Sequence, residues 1–458
     1  MMKKLKNIST LLVLSSMFLS SCGKTEKDFS SYVPATDYCK SELSESSFMN
    51  KVCNLNKVET ANNEMVDAFN SDLIYSQFPY DTLSLEMIYD IETIMGKRMI
   101  DLHKSFDRHN SYLNSNNEII NNLKAINESY GTNKALKVDD DLFDILELSL
   151  ELGVLSEGRF NIAVGNLSDF WNDLIDKNAV GGVVIDPLAV NLDTYNSNKS
   201  EDLLQKEKDM QTELTNQLNK IIEEIPSANE LKNILILNKE NKTVKFNKYK
   251  DAESVSLSLG GIGKGYAVED ISTKLVENGY TYGTITGATS SNAILGKRHD
   301  NKNWSVGISS PSKYDYLVGG YLKLNNYHQM STSGDSVQSY AFYDNDRNPI
   351  MRHHIINPNT GYPTNTYQAF RKVTIISKTL NAAIMDALST ILINTEEKDI
   401  ELLLTNFRNH YSSDIEAIFQ IADEKEEKYT YKLTKGLKNK FSLNKENKVE
   451  AEISYYEF

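Results

Sequence analysis

The 458-residue sequence predicts an α+β fold. Three observations carry that prediction. Strand-like and helix-like stretches are interspersed without the regular strand–helix–strand rhythm of a doubly wound sheet. From residue 281 to residue 377 short strands follow one another with no helix expected between them. No internal repeat or low-complexity tract points to a solenoid or a fibrous chain.

The chain opens on Lys3, Lys4 and Lys6, followed by an apolar or small run from Ile8 to Leu19 that is too short to span a bilayer. The run ends in Leu19-Ser20-Ser21-Cys22, a lipobox pattern. Residues 1–21 are therefore expected to be a lipoprotein signal peptide. The mature chain would begin at a diacylated Cys22, anchored to the outer face of the cell membrane, because two acyl chains hold where one does not. An ordinary signal peptide with an incidental cysteine is the alternative. Cys39 and Cys53 are the other cysteines. An exported location permits a disulfide between them, and two free surface thiols fit their polar flanks equally well. The formal net charge of -14 repels phosphate backbones and argues against general nucleic-acid binding.

Residues 22–72 read as a polar tether. A turn at Phe78-Pro79-Tyr80-Asp81-Thr82 leads into an expected strand, in which Leu83, Leu85, Met87 and Tyr89 alternate with Ser84, Glu86 and Ile88. Helices are expected over 90–110, 115–130 and 139–156. Residues 183–230 are rich in charge, with Leu203, Leu204, Leu214 and Leu218 at helical spacing, and read as a charged surface insertion. Ile234 to Phe246 reads as a hairpin turning at 239–242, and Val255 to Leu259 as a strand. A helix from Tyr266 to Asn278 is expected to close on Gly279. Strands follow at 281–286, 292–296, 303–308, 317–324, 352–356 and 371–377, then a helix from Asn381 to Asn394. The Lys-rich tail, 426–458, is β-like and reads as an extension of a domain covering 73–425.

Three constellations carry chemistry. In Leu259-Gly260-Gly261-Ile262-Gly263-Lys264-Gly265-Tyr266, glycines precede a helix, so free amides at its N-terminus favour an anion and Lys264 can reach a phosphate. Ser258 and Gly265 stand where a Walker A loop needs Gly and Ser or Thr, so this is not that loop. A glycine turn that merely packs a helix on a sheet is the alternative. In the second, Asp386 and Thr390 lie four residues apart on a helix apolar on most faces, and so share one face. A buried carboxylate needs a partner, and carboxylate plus hydroxyl suits Mg²⁺. A carboxylate satisfied by backbone amides in the core fits equally. In the third, His353-His354-Ile355-Ile356-Asn357-Pro358 enters a tight turn ending at Gly361-Tyr362-Pro363. Adjacent strand residues point to opposite faces, so one histidine is expected toward the site and one toward solvent; an ordinary hairpin with incidental histidines fits the segment equally.

Together and in this order, these segments resemble the ApbE-type family of FAD:protein FMN transferases. The matching stretches are Leu259–Ala267, Ser331–Asp335 (STSGD), His354–Pro363 and Asp386–Thr390 (DALST), with weaker matches at Tyr80–Thr82 and Gly158–Gly165. The resemblance implies an α+β domain of antiparallel sheets with packed helices, related to the tunnelling fold. It also implies Mg²⁺-dependent transfer of the FMN half of FAD to a threonine of an exported acceptor carrying an S/T-G-A-T motif, with release of AMP. By carry-over, Asp386, Thr390 and the Gly261 carbonyl bind the metal, and Asp386 and His354 are catalytic. FAD would be held by Lys264, Gly260, Gly263, Ser258, Tyr80, Asp81, Thr82, Ala288, Thr289 and Ile356. The chain departs from the family pattern at Ser258 and Asn357, where Asp is usual, at Phe160-Asn161-Ile162-Ala163, and in the loop Gly287–Ser291. An FAD pyrophosphatase and a flavin-binding lipoprotein without catalysis are the rival readings.

Overall fold

Among the described residues, the largest sheet has eight strands that lie side by side in their order along the chain. The computed structural model describes residues 57–67, 69, 74–77, 85–179, 186, 188–195, 200–287, 290–298, 301–310, 317–335, 338–423, 428–446 and 450–458. Residues 1–21, expected to be a signal peptide, and Cys22, Cys39, Cys53, Tyr80, Asp81, Thr82, Ala288 and Thr289 lie outside them. The strands are β1 (Ile74–Gln77), β2 (Thr284–Gly287), β3 (Ser291–Ile294), β4 (His328–Gly334), β5 (Lys372–Ser377), β6 (Glu416–Asp423), β7 (Lys428–Leu433) and β8 (Ala451–Tyr455). Neighbours pair antiparallel except β7 with β8, which pair parallel. A parallel pair needs a crossover, and residues 434–450 supply it. The Lys-rich tail thus places two strands in the main sheet.

Both faces of this sheet are buried. Val373, Ile375, Ala417 and Phe419 enter one core, while Ile376 and Ile418, one residue out of phase, enter another. Helices cover the first face. The second is covered by a three-stranded sheet of Trp304–Ser309, Val318–Leu324 and Phe441–Leu443. The fold is therefore α+β, as the sequence predicts. The principal helices are α1 (Leu85–Phe106), α2 (Gly165–Ala179), α3 (Glu201–Glu224), α4 (Gly263–Glu277) and α5 (Ala382–Ile393). The charged insertion is largely α3, where Leu218 is buried and Leu203 exposed. Leu218 docks against Phe170 and Trp171 of α2.

Three local expectations are corrected. The alternating stretch from Leu85 to Tyr89 is the first turn of α1, not a strand. Ile91, Met95, Met99, Leu102 and Phe106 form a buried stripe at helical spacing, and extending a formed helix costs no new nucleus. Residues 115–130 are helical only over Leu123–Glu128, because Asn122 caps the start, its side chain accepting the Ala125 amide at 3.2 Å. Val255, Leu257 and Leu259 are buried, as the alternation implies, but they pair with no strand among the described residues. Their backbone is satisfied elsewhere: the Ser256 carbonyl accepts the Gly165 amide, Ser258 donates to the Ile162 carbonyl, and the Asn127 side chain bonds both groups of Leu257.

Asp335, directly after β4, is 1% exposed. It pairs with the Arg371 guanidinium and accepts the Thr366 hydroxyl, while its Oδ1 has no hydrogen-bond partner among the described residues. Replacing Arg371 by Met strands a buried charge, so urea denaturation should show a loss of about 3–5 kcal/mol. A loss below about 1 kcal/mol would mean the pair is dispensable.

His353 is wholly buried. Its Nδ1 accepts the Ile355 amide at 3.1 Å, so Nε2–H donates to the Thr364 carbonyl at 2.7 Å. Burial pushes its pKa below the ordinary histidine value, and His103 and His328 shift the same way. The unfolded chain takes up these protons near pH 6.5 and the folded chain resists them. The stability they contribute is therefore present above about pH 6.5 and lost as the pH falls toward the folded values. The urea midpoint should drop between about pH 7.5 and 5.5, less steeply in His353→Gln. Parallel pH profiles for the two proteins would contradict this.

Candidate functional site

Helix α5 starts where the Asn381 side chain accepts the Ala383 amide at 2.8 Å. Nearly every residue in it is apolar and buried, so the helix is locked between the main sheet and α4. Asp386 is only 3% exposed, and Thr390, one turn on, is half-buried. The Asp386 carboxylate accepts the Gly265 amide on Oδ2 at 2.9 Å and the Ser331 hydroxyl on Oδ1 at 3.1 Å. Gly265 lies in the first turn of α4, whose amide dipoles favour a negative charge. Among the described residues no Lys, Arg or His forms an ion pair with Asp386. Gly265 itself is required by close approach: a Cβ there would lie 2.3 Å from the Ala382 carbonyl oxygen and 2.6 Å from the Asp386 Cβ.

The glycine loop runs beside this pair. The Ser258 hydroxyl accepts the Gly260 amide at 3.4 Å. A Cβ on Gly261 would stand 3.8 Å from the Thr390 hydroxyl oxygen and 3.3 Å from the Phe160 ring. Gly263 packs between Phe69 and Phe106, and the Lys264 ammonium folds back on the Gly260 carbonyl at 3.2 Å. The structure thus gathers Ser258, Gly260, Gly261, Gly263, Lys264, Asp386 and Thr390. Among the described residues no three His, Cys, Asp or Glu side chains are placed so that they could hold a metal ion together. A cation here would rest on one carboxylate, one hydroxyl and carbonyl oxygen, a hard donor set that suits Mg²⁺ with its other positions left to water or phosphate. The buried, cation-free carboxylate fits such an ion.

The histidine turn docks on the far end of α5. Asn394, its C-cap, donates to the Ile356 carbonyl at 3.1 Å and accepts the Thr364 hydroxyl at 2.8 Å. His353 is buried and His354 exposed, but not by strand alternation: the strand expected over 352–356 is instead Pro349–His353, so His354 is the first residue beyond it. The Ile356 side chain packs with Trp171 and Leu218. Asn357 caps the turn by accepting the Asn359 amide at 3.0 Å, a role a carboxylate would fill equally. Asn161 does more than an aspartate could: its Oδ1 accepts the Ala163 amide and its Nδ2 donates to the Pro226 carbonyl, tying this segment to the end of the insertion. Sequence reasoning overlooked Gly265, Asn394 and the separate roles of Ser331 and Ser333. Gly265 lay in the glycine cluster, the serines in the STSGD stretch and Asn394 at an expected helix end, but nothing in the sequence showed which partner each would meet. A cavity of about 420 Å³ between α2 and α3 shares no residue with this site.

A sequence model of the ApbE family matches residues 85–419. The FAD:protein FMN transferase of Klebsiella pneumoniae is 24% identical over 228 residues, 49% of this chain and 52% of that protein. Its namesake in Haemophilus influenzae is 30% identical over 172 residues, 37% of this chain and 45% of that protein. The chain therefore spans about half the length of the curated relatives it matches. In fold it is similar to the ApbE protein of Thermotoga maritima, with a TM-score of 0.50 at 20% identity over 76% of this chain and 93% of that one. A single-residue mutant of the flavin transferase ApbE of Vibrio cholerae is similar with a TM-score of 0.51 at 17% identity, over 80% of this chain and 94% of that one. The matched stretch contains the glycine loop, β4, the histidine turn and α5, and the chain belongs to the ApbE family.

Proposed function

We propose that this chain is an FAD:protein FMN transferase that moves the FMN half of FAD onto a threonine hydroxyl of an exported acceptor protein and releases AMP. The observation that carries the reading is Asp386: a buried carboxylate with neutral donors only, one helical turn from Thr390 and beside a glycine loop at a helix N-terminus. Its similarity to the FAD:protein FMN transferases of Klebsiella pneumoniae and Haemophilus influenzae supports it. Asp386, Thr390 and the Gly261 carbonyl would hold Mg²⁺. A divalent cation bound there supplies charge neutralisation for the pyrophosphate oxygens.

The chain's own residues supply the rest. Lys264 exchanges the Gly260 carbonyl for a phosphate oxygen, and the amides of the α4 N-terminus favour the same charge. The threonine oxygen forms a bond to the FMN phosphorus, the bond from that phosphorus to the bridging oxygen breaks, and AMP leaves with the electron pair. The threonine proton passes to His354, exposed in the turn that follows the strand Pro349–His353. Such transfer depends on positioning and charge neutralisation. Anchoring at Cys22 on the outer membrane face would place the site where exported acceptors are met.

One assay separates this from its rivals. The full chain is incubated with FAD, Mg²⁺ and a peptide with a Ser-Gly-Ala-Thr core, and peptide mass and AMP are followed. An FMN adduct on the peptide is expected. Free FMN with AMP and no adduct would make it a pyrophosphatase, and bound FAD without turnover a flavin binder. Asp386→Ala should lower turnover by about a hundredfold or more. Asp386→Asn, which keeps an acceptor for the Gly265 amide, should fail equally. Mg²⁺-dependent turnover near the unaltered rate in either variant would contradict the assignment.

A further inference from the structure

We propose that Ser333 is a positioning residue that turns the lone pairs of the Thr390 hydroxyl toward a bound cation, through a one-way chain of hydroxyl hydrogen bonds. The proposal rests on reading Asp386 and Thr390 as cation ligands. Ser331 and Ser333 are two apart on β4 and share the face that meets α5, while Thr332 points to the other side and pairs with Thr374 at 2.9 Å. Two strand residues advance about 6.8 Å and four helix residues about 6 Å. The serines therefore meet Asp386 and Thr390 in register, Ser331 on the carboxylate and Ser333 on the hydroxyl.

The direction of the chain follows from counting protons, since each hydroxyl has one to give. Ser389 gives its proton to the Asp386 backbone carbonyl at 2.9 Å. In its 2.6 Å contact with Ser333, Ser389 must therefore accept, and Ser333 donates. Ser333 has then spent its proton, so in the 3.0 Å contact with Thr390 it accepts, and Thr390 donates. The Thr390 hydrogen points at the strand, leaving its lone pairs for the side along which Gly261 passes. A hydroxyl that binds a cation must do so through a lone pair, with its hydrogen sent elsewhere. Ser333 and Ser389 are both buried or nearly so, which keeps water from taking over the acceptor role.

Mn²⁺ binding to the full chain, followed by electron paramagnetic resonance without FAD, reads this directly. Ser333→Ala should weaken Mn²⁺ binding by about 10- to 100-fold, the usual cost of losing an outer hydrogen bond to a metal ligand. Ser333→Thr, which restores a hydroxyl, should recover most of it. Thr332→Val removes a hydroxyl from the opposite face of the same strand and should bind Mn²⁺ as the unaltered chain does. Unchanged binding in Ser333→Ala, or equal weakening in Thr332→Val, would overturn the proposal. If the unaltered chain binds no Mn²⁺, the cation reading itself falls and takes the proposal with it, a result distinct from the other two.

Discussion

The close approach of α4 to α5 is the constraint on which the rest of the site depends. Gly265 leaves no room for a side chain between the helices, so the two backbones meet and its amide reaches the Asp386 carboxylate. A carboxylate removed from water costs several kcal/mol unless it is compensated. Here the compensation comes from a helix N-terminus and a serine hydroxyl, with no full positive charge among the described residues. That arrangement fixes the carboxylate in place and leaves its charge without a basic partner among the described residues. It also sets the glycine loop, because the residues that precede Gly265 must turn into α4 beside Thr390.

The strand β4 is the second support. Its central place in the sheet, bonded to β3 and β5 on either side, makes it rigid. Small hydroxyl side chains on the face toward α5 let the helix sit close and satisfy its polar groups. The histidine turn closes the other end of the same helix through Asn394. The geometry of the candidate site is thus spread over one buried helix gripped at its start, along its face and at its end.

Much of this was legible in the sequence, and the residues show why. The pairing of Asp386 with Thr390 follows from helix periodicity, and the glycine cluster with Lys264 announces a helix N-terminus. The hairpin at 235–246 and the Gly279 cap, with φ of +90°, follow from local turn chemistry. What was not legible depends on contacts distant in the chain. The alternation at 85–89 mimics a strand until the long buried stripe of α1 is counted with it. Val255 to Leu259 has the pattern of a strand, but its partners are Ile162, Gly165 and the Asn127 side chain, none of which sequence spacing can supply. Gly265 reads as one more flexible glycine until Ala382 is placed against it.

The central claim is that Asp386, Thr390 and the Gly261 carbonyl form a divalent-cation site beside bound FAD. A crystal of the full chain grown with FAD and Mn²⁺, measured at the manganese absorption edge, tests this most directly. The account predicts an anomalous peak within about 2.5 Å of an Asp386 carboxylate oxygen and the Thr390 hydroxyl, on the side of the FAD phosphates. FAD bound with no manganese at that position, or manganese held by other side chains while Asp386 keeps only its bonds to Gly265 and Ser331, would contradict it.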